Sequence, residues 1–167
     1  MSMTSLDGIK ASLGDMLKGI ERYNPDNIIT LERYVDMQAK ENGYDLEANL
    51  ALLKLYQFNP HNLSMPYVEK VLLKSLTNLP HSDFSLCKSL LTIDVLEGDP
   101  TIKSIIYLAD LLETCMFKEF WVKLRSPGVP ELVRSIAGFE DSIRKVIYFL
   151  FLQNILKSKS KSQILLK

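Results

Sequence analysis

The chain has 167 residues, 47% of them hydrophobic, which suits one domain, or one and a fragment, with a packed core. Its 20 acidic and 20 basic side chains cancel, yet every acid lies at or before Asp141, so residues 1–141 carry −6 and residues 142–167 carry +6. A body of that sign repels phosphate backbones, which leaves only the tail for any grip on nucleic acid.

Residues 3–20 place Leu6, Ile9, Leu13, Leu17 and Ile20 at helical intervals, interrupted by Gly8 and Gly14, and predict a first, modest helix. A helical hairpin over 26–58 follows, with Gly43 at its joint. Its first half carries one apolar stripe through Ile28, Leu31, Val35 and Ala39. Its second half, 46–58, has only Glu47, Asn49, Lys54 and Gln57 as polar positions. A helix apolar on nearly every side packs against several neighbours, so this one is expected at the centre.

A fourth helix is predicted over 66–76, opened by Pro66, and a fifth over 84–95, carried by Phe84, Cys87, Leu90, Leu91 and Val95. Asp99 and Pro100 stop that helix and start a sixth, whose stripe runs Ile102, Ile105, Ala109, Leu112 and Met116. A short aromatic-rich helix covers 117–124. Residues 126–130, SPGVP, form the strongest break and a candidate boundary. Helix is expected again over 131–136 and from Phe139 through Leu150. Val146 to Leu152 is apolar without interruption, too short to span a bilayer, and either packs into the bundle or needs a partner. A solvated, disordered basic end is expected from Lys157.

One motif recurs. Tyr23-Asn24-Pro25-Asp26-Asn27 returns as Phe58-Asn59-Pro60-His61-Asn62 at a spacing of 35 residues, the length of one helix–turn–helix unit of a solenoid. Asn favours turns, and Pro cannot continue a preceding helix but can begin the next. With no period-two alternation of useful length, the fold class is all-α with short turns.

The residues offer no catalytic constellation. His61 and His81 sit in turns, without ligand spacing to Cys87 or Cys115. His81-Ser82-Asp83 contains the residue types of a triad, but three chain neighbours cannot face one another as a triad must, and a helix cap explains Ser82 and Asp83 better. No glycine-rich phosphate cradle occurs, so no nucleotide cofactor and no metal are expected. The two widely spaced cysteines fit a reduced cytosolic chain, and the first ten residues do not read as a signal peptide. Candidate partner contacts are Trp121 and the run Val146, Ile147, Tyr148, Phe149, Leu150, Phe151 and Leu152.

Several segments together resemble a known family: Arg22-Tyr23-Asn24-Pro25, Leu31-Glu32-Arg33-Tyr34-Val35, the stretch from Tyr44 to Ala51, that from Leu53 to Pro60, Leu76-Thr77-Asn78-Leu79-Pro80-His81, Phe120-Trp121 and Gly138-Phe139-Glu140-Asp141-Ser142. These resemble subunit k of eukaryotic translation initiation factor 3, in order from about Met16 to Lys145. The resemblance implies a non-enzymatic scaffold subunit, expected in the cytoplasm, with the nucleus as a second compartment. Its expected partners are other subunits of that factor, above all subunit l, and the small ribosomal subunit through the complex. No small-molecule substrate, membrane contact or direct RNA binding is implied.

The architecture implied is a right-handed array of antiparallel HEAT/TPR-like hairpins over 1–125, followed by a winged-helix, PCI-related module. After about Lys145 the sequence departs from the family. The expectation is therefore a truncated or missing winged helix starting in 126–156, then a basic disordered tail over 157–167. Two alternatives stay open: a truncated, assembly-defective helical fragment, and a helical adaptor with an RNA-binding basic tail.

Overall fold

The computed structural model describes residues 6–164, with side chains over 8–156. Ten α-helices and three short 3-10 turns make up the described chain, and no strand occurs among those residues. The helices are α1 (Leu6–Met16), α2 (Ile28–Lys40), α3 (Leu46–Phe58), α4 (Met65–Leu76), α5 (Asp83–Ser89), α6 (Ile93–Gly98), α7 (Pro100–Glu113), α8 (Phe117–Leu124), α9 (Val129–Val133) and α10 (Phe139–Ile164). The fold is all-α, built from helical repeats.

Side-chain contacts show how the repeats stack. Within the α2–α3 hairpin, Tyr56 Oη donates to Glu32 Oε1, and near the joint Gln38 Nε2 donates to Asn49 Oδ1 at 2.9 Å. Residue numbers that rise on one helix while falling on the other define an antiparallel pair. Between α2 and α4 they rise together: Lys70 Nζ bonds Asp36 Oδ1 at 2.6 Å, and Lys74 Nζ donates at 3.0 Å to Asn42 Oδ1 just beyond the end of α2. Those offsets of 34 and 32 residues are close to the 35-residue spacing of the sequence motif. Equivalent helices of successive hairpins therefore lie side by side and parallel, as in a solenoid. Further along the chain α5 packs on α3, and α7 packs on α4.

As expected, α3 is central. Ala48, Asn49, Ala51, Leu52, Leu53, Leu55 and Tyr56 are all buried on it. Its first turn is held by Asp45, whose side chain accepts from the Ala48 N–H at 3.2 Å. Asp99 does the same for α7, accepting from the N–H groups of Thr101 and Ile102 at 2.7 and 2.9 Å. Pro100 fits that first turn because its missing N–H would have no helical partner there.

Several expected boundaries move. The first helix stops at Met16 rather than Ile20. Gly19 adopts φ +66°, which closes the helix, and Ile20 is left exposed in a 3-10 turn; Met3 lies outside the described residues. At the hairpin joint the left-handed position is taken by Asn42 (φ 52°), not Gly43. The single fifth helix over 84–95 is two: α5 ends at Ser89, and Thr92 is extended (ψ 158°) before α6. Neither glycine nor proline marks that break. It turns α6 so that it packs along α7, partly burying Val95 and Leu96.

Between α7 and α8 Cys115 is left-handed (φ 59°), so the two helices are separate. The helix expected over 131–136 begins earlier and is shorter, since Gly128 (φ 85°) and Pro130 start α9. Where a disordered tail is expected from Lys157, the backbone continues as helix to Ile164. No glycine or proline interrupts 139–164, and its lysines, glutamines and leucines are good helix formers. Residues 165–167 lie outside the described part.

Candidate protein-binding surface

The apolar run that begins at Val146 divides between two faces once it is wound into α10. Phe139, Ile143, Val146 and Leu150 recur at intervals of three and four and are buried in the core. Tyr148, Phe149, Phe151 and Leu152 point the other way and are exposed; Tyr148 is 66% and Phe151 55% accessible. Ile155 and Leu156 extend that outward stripe by another turn. Of the seven candidate residues, Val146 and Leu150 therefore serve the core, Ile147 is half-buried, and four form an unpartnered apolar face. Ile155 and Leu156 escape a reading that stops where the unbroken run stops, although the helical period carries the stripe through them.

Trp121 is half-buried on α8 rather than fully exposed. Its ring meets Phe120 edge to face at 5.4 Å, and the Arg144 guanidinium of α10 lies over it at 5.4 Å. Phe149 lines a separate cleft of about 260 Å³ together with Leu79, Pro80, His81 and Lys145. The segment before α10 is pinned to the first hairpin. Ala137 N–H donates to the Ala39 carbonyl at 2.8 Å, and Asn42 Nδ2 reaches Ser142 Oγ at 3.4 Å. Gly138, at φ +65°, passes so close that an added Cβ would stand 3.0 Å from Asn42 Nδ2. Core contacts and this latch tie the beginning of α10 to the bundle, and its outward stripe is presented on that frame.

The titratable groups most displaced from ordinary behaviour are structural. Burial pushes the Cys87 thiol up to about 12, which keeps it protonated and unreactive. Burial raises the Tyr44 and Tyr56 hydroxyls, and their bonds to Asp83 Oδ2 at 2.8 Å and to Glu32 Oε1 add to the effect. Burial lowers the Lys74 ammonium to about 8, with Asn42 Oδ1 as its hydrogen-bond partner. His61 lies in the 60–62 turn, His81 beside the end of α4, Cys87 inside α5, and Cys115 accepts from Asn154 Nδ2 at 2.8 Å. The structure does not gather them. Among the described residues no group of three or more His, Cys, Asp or Glu side chains is placed to hold a metal ion. No helix among them is long and apolar enough to cross a membrane.

Comparison with known proteins places the chain in a family. Residues 62–152, more than half of the chain, match the model of the CSN8/PSMD8/EIF3K family. Over 145 residues, 87% of this chain and 65% of the relative, it is 55% identical to eukaryotic translation initiation factor 3 subunit K of Xenopus tropicalis. The Homo sapiens subunit K is 54% identical over the same shares, and that of Anopheles gambiae is 55% identical over 141 residues, 84% of this chain and 62% of the relative. The chain thus spans somewhat less than two thirds of the length of these relatives. On that family match and on identity above half across most of its residues, the chain belongs to the CSN8/PSMD8/EIF3K family.

Proposed function

We propose that this chain acts as a non-catalytic subunit of eukaryotic translation initiation factor 3, a helical scaffold held in the complex by protein–protein contacts. The observation that carries this reading is the outward stripe of α10, where Tyr148, Phe149, Phe151, Leu152, Ile155 and Leu156 lie exposed along one helix face. Contiguous exposed apolar faces of that kind are characteristic of surfaces that a protein partner covers, and no helix among the described residues is long and apolar enough to cross a membrane. The relatives named above supply the complex. On this reading the partners are other subunits of the factor, subunit l foremost, and the small ribosomal subunit is reached through them. The working compartment is the cytoplasm.

Scaffolding also fits the chemistry of the side chains. The most displaced titratable groups, Tyr44, Tyr56, Cys87 and Lys74, are fixed inside helix packing and do not converge on a cleft. The test is affinity purification of the tagged chain from a nuclease-treated eukaryotic extract, with the co-purifying proteins identified by mass spectrometry. Initiation factor 3 subunits, subunit l among the most abundant, are the expected result. Their absence from the eluate would sink the proposal.

A further inference from the structure

A cleft of about 520 Å³ opens between the end of α8, α9 and the start of α10. Its floor is apolar, made by the buried side chains of Leu124, Val133, Ile136 and Phe139. Arg125, Arg134 and Arg144 line it as well. A second hollow of about 330 Å³ shares Arg125 and Arg144 and is walled by Trp121 and Ile147. The two hollows adjoin at Arg125 and Arg144, which line both.

The three arginines are not equivalent. Arg144 is committed: its guanidinium bonds Asp141 Oδ1 at 2.7 Å and Glu140 Oε2 at 3.1 Å while lying over Trp121. Arg125 and Arg134 are exposed, and no carboxylate among the described residues pairs with either. Each follows the last residue of its helix, α8 or α9, where a cation is favoured by the helix dipole. That role needs only their charge and leaves the forked N–H donors free.

We propose that this groove binds an acidic peptide segment of another protein, its carboxylates bridging to Arg125 and Arg134 and its apolar side chains lying on the Leu124–Val133–Phe139 floor. Arginine's planar fork matches a carboxylate in a bidentate pair. The apolar floor beneath it rewards leucine or phenylalanine between the acids. RNA fits less well. Two unpaired arginines offer few phosphate contacts, whereas a grip on RNA draws on many, and the apolar floor has no counterpart in a sugar-phosphate backbone. Peptide-ready geometry is supported from below, because the 136–138 turn is tied to α2 through Ala137 and Ala39.

The experiment uses the full chain and a terminally blocked, fluorescein-labelled peptide of alternating glutamate and leucine. Anisotropy gives the affinity, and the emission of Trp121, the single tryptophan, reports whether the groove is occupied. Saturable binding with a change in Trp121 emission is expected. Affinity should fall by about tenfold or more for a glutamine–leucine peptide, and likewise for the Arg125→Gln/Arg134→Gln variant. The Arg125→Glu/Arg134→Glu variant should instead prefer a lysine–leucine peptide. Equal binding of the glutamate and glutamine peptides by the parent chain overturns the proposal without any variant. So does binding that leaves Trp121 emission unchanged, or tighter binding of an oligouridine RNA than of the acidic peptide. Both arginines lie off α10, so failure here leaves the outward stripe and its role in the complex untouched.

Discussion

The rings of Tyr23 and Phe58 meet edge to face with their centroids 5.9 Å apart. These are the two aromatic residues of the recurring motif, one repeat length apart in the chain. Their turns match as well, each a 3-10 turn opening with proline, Pro25–Asn27 and Pro60–Asn62. The repeat is therefore a physical stacking of equivalent turns, not two unrelated punctuation marks. Its asparagines are not used alike: Asn24 accepts from the Asp26 N–H at 3.0 Å, whereas Asn59 Nδ2 donates back to the Leu55 carbonyl at 2.9 Å.

Edge-to-face pairs contribute about 0.5–1.5 kcal/mol beyond the area they bury, and both rings here are roughly half exposed, which favours the low end. A double-mutant cycle of Tyr23→Ala and Phe58→Ala, followed by urea denaturation, should return a coupling of about 0.5 kcal/mol. Strict additivity of the two substitutions would show that the turns touch without supporting each other.

Lys74 sets a pH dependence. Its ammonium titrates at about 8 in the folded chain against an ordinary 10.5, because burial penalises the charge. Below pH 8 both folded and unfolded chains hold the proton, and the folded state carries the full cost of a buried cation. From 8 to 10.5 the unfolded chain binds more protons, so this residue makes stability rise with pH. Cys87 acts oppositely: its thiol ionises near 9.0 when unfolded and near 12 when folded, so it erodes stability above pH 9. Comparing the parent with Lys74→Met cancels the thiol. Relative to the parent, the methionine variant should lose ground steadily as pH rises through that window. A constant difference across the range would show that Lys74 keeps its proton.

Two glycine substitutions should have opposite signs. Gly138→Ala places a Cβ at a left-handed backbone and 3.0 Å from Asn42 Nδ2, which costs about 1–2 kcal/mol from the backbone alone. That is a fall of several degrees in Tm for a chain of this length. Gly14 lies within α1, with no atom within 4 Å of an added Cβ, so Gly14→Ala should stabilise by about 0.5–1 kcal/mol. Thermal melts of both variants check the pair. A neutral Gly138→Ala would mean that the 136–138 turn is not latched to α2 as described.

Local signals made much of this fold legible in the sequence. The apolar stripes of α2, α4 and α7, the all-round burial of α3 and the Asp99-Pro100 start of α7 all follow from helical period and capping chemistry. The break between α5 and α6 does not, because Leu90-Leu91-Thr92 carries no breaker and is turned by packing on α7. Ile20 fits a stripe by spacing alone, yet Gly19 turns the chain before it can be buried. For the candidate surface, the apolar run was visible, but its division into inward and outward faces needed the bundle on one side of α10. The groove was invisible for a different reason: Arg125, Arg134 and Arg144 belong to three separate elements, and nothing in their spacing shows that they meet.

The central claim is that the outward stripe of α10 is a protein-binding face. The most direct measurement is density-gradient sedimentation of the purified chain mixed with initiation factor 3 depleted of its own subunit K. The chain should travel with the complex, and a Phe149→Asp/Phe151→Asp variant, altered only at exposed positions, should remain at the top. Co-sedimentation of that variant at undiminished affinity, or a parent chain that never leaves the top of the gradient, would contradict the account.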